Sequence, residues 1–347
     1  MRFSGVALAA LAHDLPPQAT SSEALEQPLA GLYARLGLRI GRLELMSGIR
    51  ERRHYPPGAR PSEIAARAAR LALARCQLPK ERLGLLVHTA VCRDFLEPAT
   101  ACAVHRALEL PPGCQAFDLS NACLGFINGL GLAASLIEAG RIEAALVVTG
   151  EDGGPLVRAT LADLGARAPS VERAELKRAM ASLTIGSGGA AAVLCRAGLA
   201  PARAHLNANA ALADSSQVEL CQGDQAAGTG GPLMATDSEA LLEAGVALAA
   251  RTWPLFLRET RWNPAQIDHY VTHQVGRAHR RALFERLGLP ESKDHPTVEF
   301  LGNVGSASLP ISLSLALESG RLQPGQRLAL LGIGSGLQCE MLGLELS

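Results

Sequence analysis

The residues best suited to chemistry in this sequence are Cys123, His273 and Asn303. Cys123 stands in "LSNACLGFINGL", where a polar step gives way to an apolar, glycine-rich run. The run predicts a buried helix that opens at the thiol. A helix N-terminus carries partial positive charge, which lowers a thiol's pKa and makes a nucleophile. A free cysteine is equally a small, inert hydrophobe, and the chain has eight of them. His273 ends the strand-like run "DHYVTH", where a histidine can simply cap a strand. Asn303 lies in "GNVG", plausible turn sequence. Each residue alone therefore has an ordinary structural explanation. Together they supply a thiolate to attack a carbonyl and two donors for the oxygen that becomes negative.

The elements around them repeat. "CLGFINGLGLAASLIEAGRIEAALVVTGED" begins at Cys123, and "NVGSASLPISLSLALESGRLQPGQRLALLGIGSG" begins at Asn303. Each starts in a turn, continues as an apolar helix and ends in a similar cap, "EAGRI" or "ESGRL". Gly140 and Gly320 suit the helix C-termini there. An offset of 180 residues superimposes the caps and places Asn303 on Cys123. Short buried strands precede both segments, "LGLLVHTA" (83–90) and "IDHYVTHQ" (267–274), and helices precede those, at 61–76 and 238–259. A Ser just before a Glu marks each expected helix start. "GSGGAAAVLCRA" (186–197) and "GLQCEMLGLEL" (336–346) read as last strands.

Strands alternating with helices predict an α/β fold with mainly parallel central strands. The duplication predicts two sheets packed through a shared layer of buried helices, with halves 1–197 and 198–347. An insertion at about 153–184 in the first half suits a functional cover. Gly125, Gly129 and Gly131 weaken the Cys123 helix intrinsically, so close packing is the expected reason for them. The two-fold repeat would bring Cys123, Asn303 and His273 together near its pseudo-axis.

Composition sets the outer limits. The chain has 347 residues, 48% hydrophobic and 19% charged, enough for a large core. Its 33 basic and 33 acidic residues give zero net charge, which argues against nucleic acid or an anionic membrane surface as partner. No apolar run is read as long enough to span a bilayer. The start, "MRFSGVALAALAHD", shares features with a signal peptide but is read as a first β-strand. None of the cysteines forms a C-x-x-C pair, so no zinc, thioredoxin-like centre or other cofactor is indicated. Reduced thiols and a cytoplasmic location are expected.

"NAC" opening a glycine-rich helix, "HQ" ending a strand, "GN-x-x-x-A-S" opening another helix and "SGIRERRHY" (47–55) together resemble the β-ketoacyl synthase III branch of the thiolase superfamily. The resemblance covers essentially the full chain. It implies a homodimer with a five-layer αβαβα thiolase fold. It implies Cys123 as the acyl carrier, and His273 with Asn303 as stabilisers of an enolate or oxyanion. Backbone amides of Cys123 and of the "GSG" loop at Ser335 and Gly336 would form the oxyanion hole.

Housekeeping members of that branch carry a Trp and an Arg that grip coenzyme A just before "T-G-I-R", where this chain reads "GRLELM" (41–46). They also read "H-Q-A-N" where this chain has "HQVG". "RDFLEPATA", "NACLGFINGL", "HQVGRAH" and "LLGIGSGLQC" look instead like the OleA-type group, which joins two fatty acyl thioesters head to head in olefin and β-lactone biosynthesis. That resemblance makes Glu97 of "LEP" a base that acts in the partner subunit. Chemistry supports such a base: a decarboxylating enzyme makes its carbanion by losing carbon dioxide, whereas joining two ordinary acyl chains requires removal of an α-proton. The expected activity is non-decarboxylative Claisen condensation of two fatty acyl-CoA molecules to a 2-alkyl-3-keto acid, with further enzymes of the same pathway as possible partners. The alternatives are a decarboxylating synthase using a malonyl thioester, a cysteine-dependent thioesterase or amidase, and a non-catalytic partner subunit.

Overall fold

The structure, a computed structural model, describes residues 1–228 and 231–347. Thirteen strands occur among them. They are β1 (Val6–Asp14), β2 (Ala19–Ser21), β3 (Glu51–Arg53), β4 (Leu83–His88), β5 (Gln115–Asp118), β6 (Ala144–Glu151), β7 (Gly188–Arg196), β8 (Ala204–Ala213), β9 (Cys221–Gly228), β10 (Gly231–Thr236), β11 (His269–Thr272), β12 (Arg327–Gly334) and β13 (Gln338–Leu346). Short helices α1 (Ser22–Glu26), α2 (Ala30–Arg35) and α3 (Arg42–Ser47) precede α4 (Pro61–Arg75), α5 (Thr100–Ala107) and α6 (Gly125–Glu138). Then come α7 (Gly154–Ala166), α8 (Arg173–Ala179), α9 (Ser238–Thr260), α10 (Arg277–Leu287), α11 (Val298–Leu301) and α12 (Ser308–Glu318).

Nine strands run in the order β11-β12-β13-β8-β1-β7-β6-β4-β5. β4 pairs parallel with β6, β6 antiparallel with β7, and β7 antiparallel with β1. β11, β12, β13 and β8 reproduce that sequence of senses. β1 meets β8 through only two residue pairs, Ala7 with His205 and Leu8 with Ala204. The two expected sheets are therefore one continuous sheet with a short seam, because the inner edge strands of both parts are adjacent and their free N–H and C=O groups pair.

α6 and α12 pack between the two parts of the sheet, in one core with Val87, Val147, Ala192, Val271, Leu330 and Leu342. α4 and α5 cover the outer face of the first part, and α9 and α10 that of the second. These are the five layers of a thiolase fold. Strands covered on both faces read as unbroken apolar runs; "VALAALA" of β1 is buried throughout. α4 approaches closely because it presents alanines and the strands opposite present glycine. A Cβ on Gly150 would lie 2.1 Å from the Pro61 carbonyl, and one on Gly189 would lie 2.8 Å from Ile64.

The helix starts differ from expectation. Pro61 occupies the first turn of α4 without a side-chain cap, and the Ser62 hydroxyl turns to Asp94 instead, at 2.5 Å. For α9 the cap is Asp237, which accepts from the Ala240 N–H. α9 also corrects the reading of apolar runs: its 23 residues are long and apolar enough to cross a bilayer. Gly245, Leu248, Ala249, Thr252, Trp253, Phe256 and Thr260 form a buried stripe at helical spacing on β8 and β13. Packing onto a sheet explains its composition. Residues 2–14 form the bridge and strand that begin the central sheet, as expected.

Candidate active site

Cys123 lies two residues before α6 rather than on it. It follows Ala122, whose φ of 45° is unusual for a residue with a side chain. Such a conformation persists only where surroundings enforce it. Here α6 is pressed onto β4 and β6. A Cβ on Gly125 would lie 2.1 Å from the Thr89 carbonyl oxygen, and one on Gly129 would lie 2.8 Å from Thr89 and Val147. Gly131 makes similar room for Asn209, at 2.9 Å. The three glycines thus bring the helix and its preceding turn against the strand ends, as expected from their positions.

A cavity of about 810 Å³ opens at those ends. Its volume falls in the upper part of the roughly 300–1,000 Å³ typical of small-molecule sites. Cys123, His273, Asn303 and Ser335 all line it. Gly336 sits in the same β12–β13 turn beside Ser335. Pro155, Leu156, Leu233, Met234, Leu241 and Val246 give the cavity apolar walls. Two excursions supply most of these: the insertion at 153–184, which forms α7 and α8, and the hairpin β9–β10. The insertion therefore supplies one wall of the cavity, and the hairpin supplies another that the sequence reading missed.

Burial controls the electrostatics. It pushes the Cys123 thiol up to about 12, with Cys221 and Glu151 adding in the same direction. Burial acts against the expected lowering by a helix N-terminus, whose field fades within one turn and whose first residue, Gly125, lies two positions beyond the thiol. Burial likewise pushes His273 down to about 4, helped by His279. Both of its ring nitrogens are buried without a hydrogen-bond partner among the described residues. The resting pair is thus a neutral thiol and a neutral imidazole. Asn303 is held by its backbone, which pairs with Thr184 and Gly186, and its side-chain oxygen accepts from the Gly305 N–H at 3.0 Å. That bond leaves the NH2 as the free donor.

Glu151, at the end of β6, is the residue that sequence reasoning overlooked. It is only 3% exposed and lines the cavity. Its carboxylate accepts from the N–H groups of Val91, Cys92 and Ser306 and from the Ser306 hydroxyl. It thereby joins the loop after β4 to the turn that follows Asn303. The signal for it was an acid ending an apolar strand, "AALVVTGED".

Glu97 is exposed and does not line its own chain's cavity. Residues 91–94 are anchored to Glu151 and Ser62, and the chain then protrudes. Leu96 is 93% exposed, and Phe95 and Val91 about half as much. Phe117, on the edge strand β5, is also exposed. All eight cysteines are free thiols. No cluster of His, Cys, Asp and Glu among the described residues is suited to a metal.

Known proteins share this fold over nearly the whole chain. The family model of 3-oxoacyl-[acyl-carrier-protein (ACP)] synthase III matches residues 117–210, and that of its C-terminal part matches residues 257–346. The acyl-CoA:acyl-CoA alkyltransferase of Shewanella oneidensis is 38% identical over 351 residues, covering 99% of this chain and 100% of that protein. The protein of the same name from Xanthomonas campestris pv. campestris is also 38% identical, covering 98% of each. A β-ketoacyl-[acyl-carrier-protein] synthase III of Neisseria meningitidis is 30% identical over 84% of this chain and 85% of that protein. Cerulenin-bound OleA of Xanthomonas campestris superimposes with a TM-score of 0.94 at 37% identity, over 99% of this chain and 98% of that one. A cysteine-to-serine form of OleA with bound lauric acid and lauroyl-CoA gives 0.93 at 37% identity, over 99% of both chains.

Proposed function

The chain belongs to the OleA-type acyl-CoA condensing enzymes, a synthase III-like branch of the thiolase superfamily, and from that premise we propose that it joins two fatty acyl-CoA molecules by non-decarboxylative Claisen condensation. The observation that carries this reading is that one apolar-walled cavity collects Cys123, His273 and Asn303.

In this reading the Cys123 sulfur attacks the thioester carbonyl of the first acyl-CoA. The backbone amides of Cys123 and of the Ser335–Gly336 turn receive the oxyanion, coenzyme A leaves as its thiol with the proton that Cys123 gives up, and an acyl-cysteine remains. Glu97 of a second copy of the chain then removes an α-proton from the second acyl-CoA. His273, neutral because of its burial, and the Asn303 NH2 donate to the resulting enolate oxygen. The enolate carbon attacks the acyl-cysteine carbonyl, the Cys123 sulfur leaves and takes up the proton that Glu97 removed, and water hydrolyses the remaining thioester to a 2-alkyl-3-keto acid and coenzyme A.

Support for the homodimer comes from the protruding 95–98 segment and the edge strand β5, whose exposed Phe117 lies on an unpaired sheet edge. The repeat divides the chain into halves 1–197 and 198–347. A cytoplasmic site of action, with the thiols reduced, fits the need for a free Cys123. Other enzymes of the same pathway would take up the keto acid.

Product analysis by mass spectrometry tests the proposal. One long-chain acyl-CoA supplied alone should yield one condensed keto acid, or the ketone left after later loss of carbon dioxide. Product formed only when a malonyl thioester is added, and carrying its two carbons, would assign the chain to the decarboxylating synthases. Release of coenzyme A with free fatty acid alone would make it a thioesterase.

A further inference from the structure

A row of polar side chains crosses the core beneath the two turns that the proposed oxyanion hole requires. Glu340 of β13 is 3% exposed. Its carboxylate accepts from the side-chain amides of Asn209 on β8, at 2.8 Å, and Asn128 on α6. Burial raises the Glu340 carboxyl and its two amide partners oppose that; ionised, it only accepts, so Asn128 presents its NH2 to Glu340 and its oxygen to the next member. That member is Asn121, whose Nδ2 donates to the Asn128 oxygen at 2.6 Å. The second hydrogen of the same Nδ2 goes to Gln338 Oε1 at 3.0 Å. Gln338 Nε2 returns a bond to Asn121 Oδ1, also at 3.0 Å. The orientation of every amide in the row therefore follows from Glu340.

One end of this row lies where the reaction would take place. Asn121 is two residues before Cys123, and Gln338 is two residues after Gly336. A second contact fixes the same spacing: Leu124 packs on the bare backbone of β12, where a Cβ on Gly332 or Gly334 would lie 2.5 or 3.0 Å from it.

We infer that the reciprocal Asn121–Gln338 amide pair is a positioning clamp that sets the distance between the Cys123 turn and the Ser335–Gly336 turn. It thereby aligns the backbone donors for acyl transfer. The inference rests on the proposed function, since an oxyanion hole matters only if Cys123 is acylated. An oxyanion donor acts only at the position where charge develops, so a small displacement costs rate and leaves binding unchanged.

The test compares wild type with Gln338→Met, which keeps length and removes both bonds. Cys123 acylation by a long-chain acyl-CoA is followed in a single turnover by intact-protein mass. Alkylation of Cys123 by iodoacetamide, which needs no oxyanion hole, is followed in parallel. Acylation should fall by about tenfold to a hundredfold, while KM and the alkylation rate stay within about twofold. Gln338→Glu keeps the bond accepted from Asn121 and should fall between the two, which preserves the test if Gln338→Met does not fold. Acylation at the wild-type rate in the variants overturns the clamp, and so does a parallel loss of acylation and alkylation. A wild-type protein that takes up no acyl group at Cys123 removes the proposed function, and the clamp with it. Normal wild-type acylation without a variant effect removes the clamp alone.

Discussion

Replacing Glu151 with alanine should cost both stability and activity, and the size of the first can be worked from its hydrogen bonds. The carboxylate holds three backbone N–H groups, those of Val91, Cys92 and Ser306, at 3.0–3.1 Å. The Ser306 hydroxyl, at 2.7 Å, keeps Thr149 as a second partner and is not stranded. A buried donor left without an acceptor costs roughly 1–3 kcal/mol, so three set a range of about 3–9 kcal/mol, an upper bound because only the Ser306 bond is fully buried. Glu151 borders the cavity, so water can reach part of the gap, and the expected loss is at the lower end, about 3 kcal/mol. Glu151→Gln keeps one oxygen, strands about one donor and should cost about 1–3 kcal/mol. Equilibrium urea unfolding at pH 7.5 measures both. The same variant separates electrostatics from geometry. The Glu151 charge helps hold the Cys123 thiol up, so its removal should speed alkylation of Cys123 at pH 8. Condensation should nevertheless slow, because the Glu97 loop and the Asn303 turn lose their common anchor. A Glu151→Ala protein within about 1 kcal/mol of wild type, with undiminished condensation, would refute this account of the site.

Mixed dimers of Cys123→Ala and Glu97→Ala chains should recover up to about half of wild-type activity, since one of the two equivalent sites is then intact. Activity at the level of either mutant homodimer, with mixed-dimer formation established separately, would place Glu97 in its own subunit or outside the chemistry. Alkylation of Cys123 by iodoacetamide should climb about tenfold per pH unit from 7 to 10 without levelling, because the thiol is held up near 12. A plateau near pH 8 would show an activated resting thiolate. His273 is held down near 4, so the unfolded chain takes up its proton first as pH falls below about 6.5. Stability should therefore be lost between about pH 6.5 and 4, by about 2 kcal/mol at pH 5 relative to pH 8. His273→Asn should remove that part of the acid sensitivity; an unchanged urea midpoint difference between wild type and variant across this range would contradict it.

The strands and helices that carry the site are legible in the amino-acid order alone. Apolar runs such as "AALVVTG" and "RLALLGIG", and the Gly140 and Gly320 caps, report contacts within one element, and periodicity is enough to read those. That order also marks Cys123, His273 and Asn303, because each lies at the end of such a run. Contacts between distant parts of the chain emerge only on folding. Glu151 meets Ser306 across 155 residues, and Asn121 meets Gln338 across 217; no local pattern encodes either pairing. The β9–β10 hairpin walls the cavity although its own sequence is short and weakly apolar. The state of Cys123 shows the division most directly. Its place before a helix is legible and argues for an acidic thiol. The groups that close over it come from β6, β9 and the 153–184 insertion, and their burial of the sulfur raises the thiol.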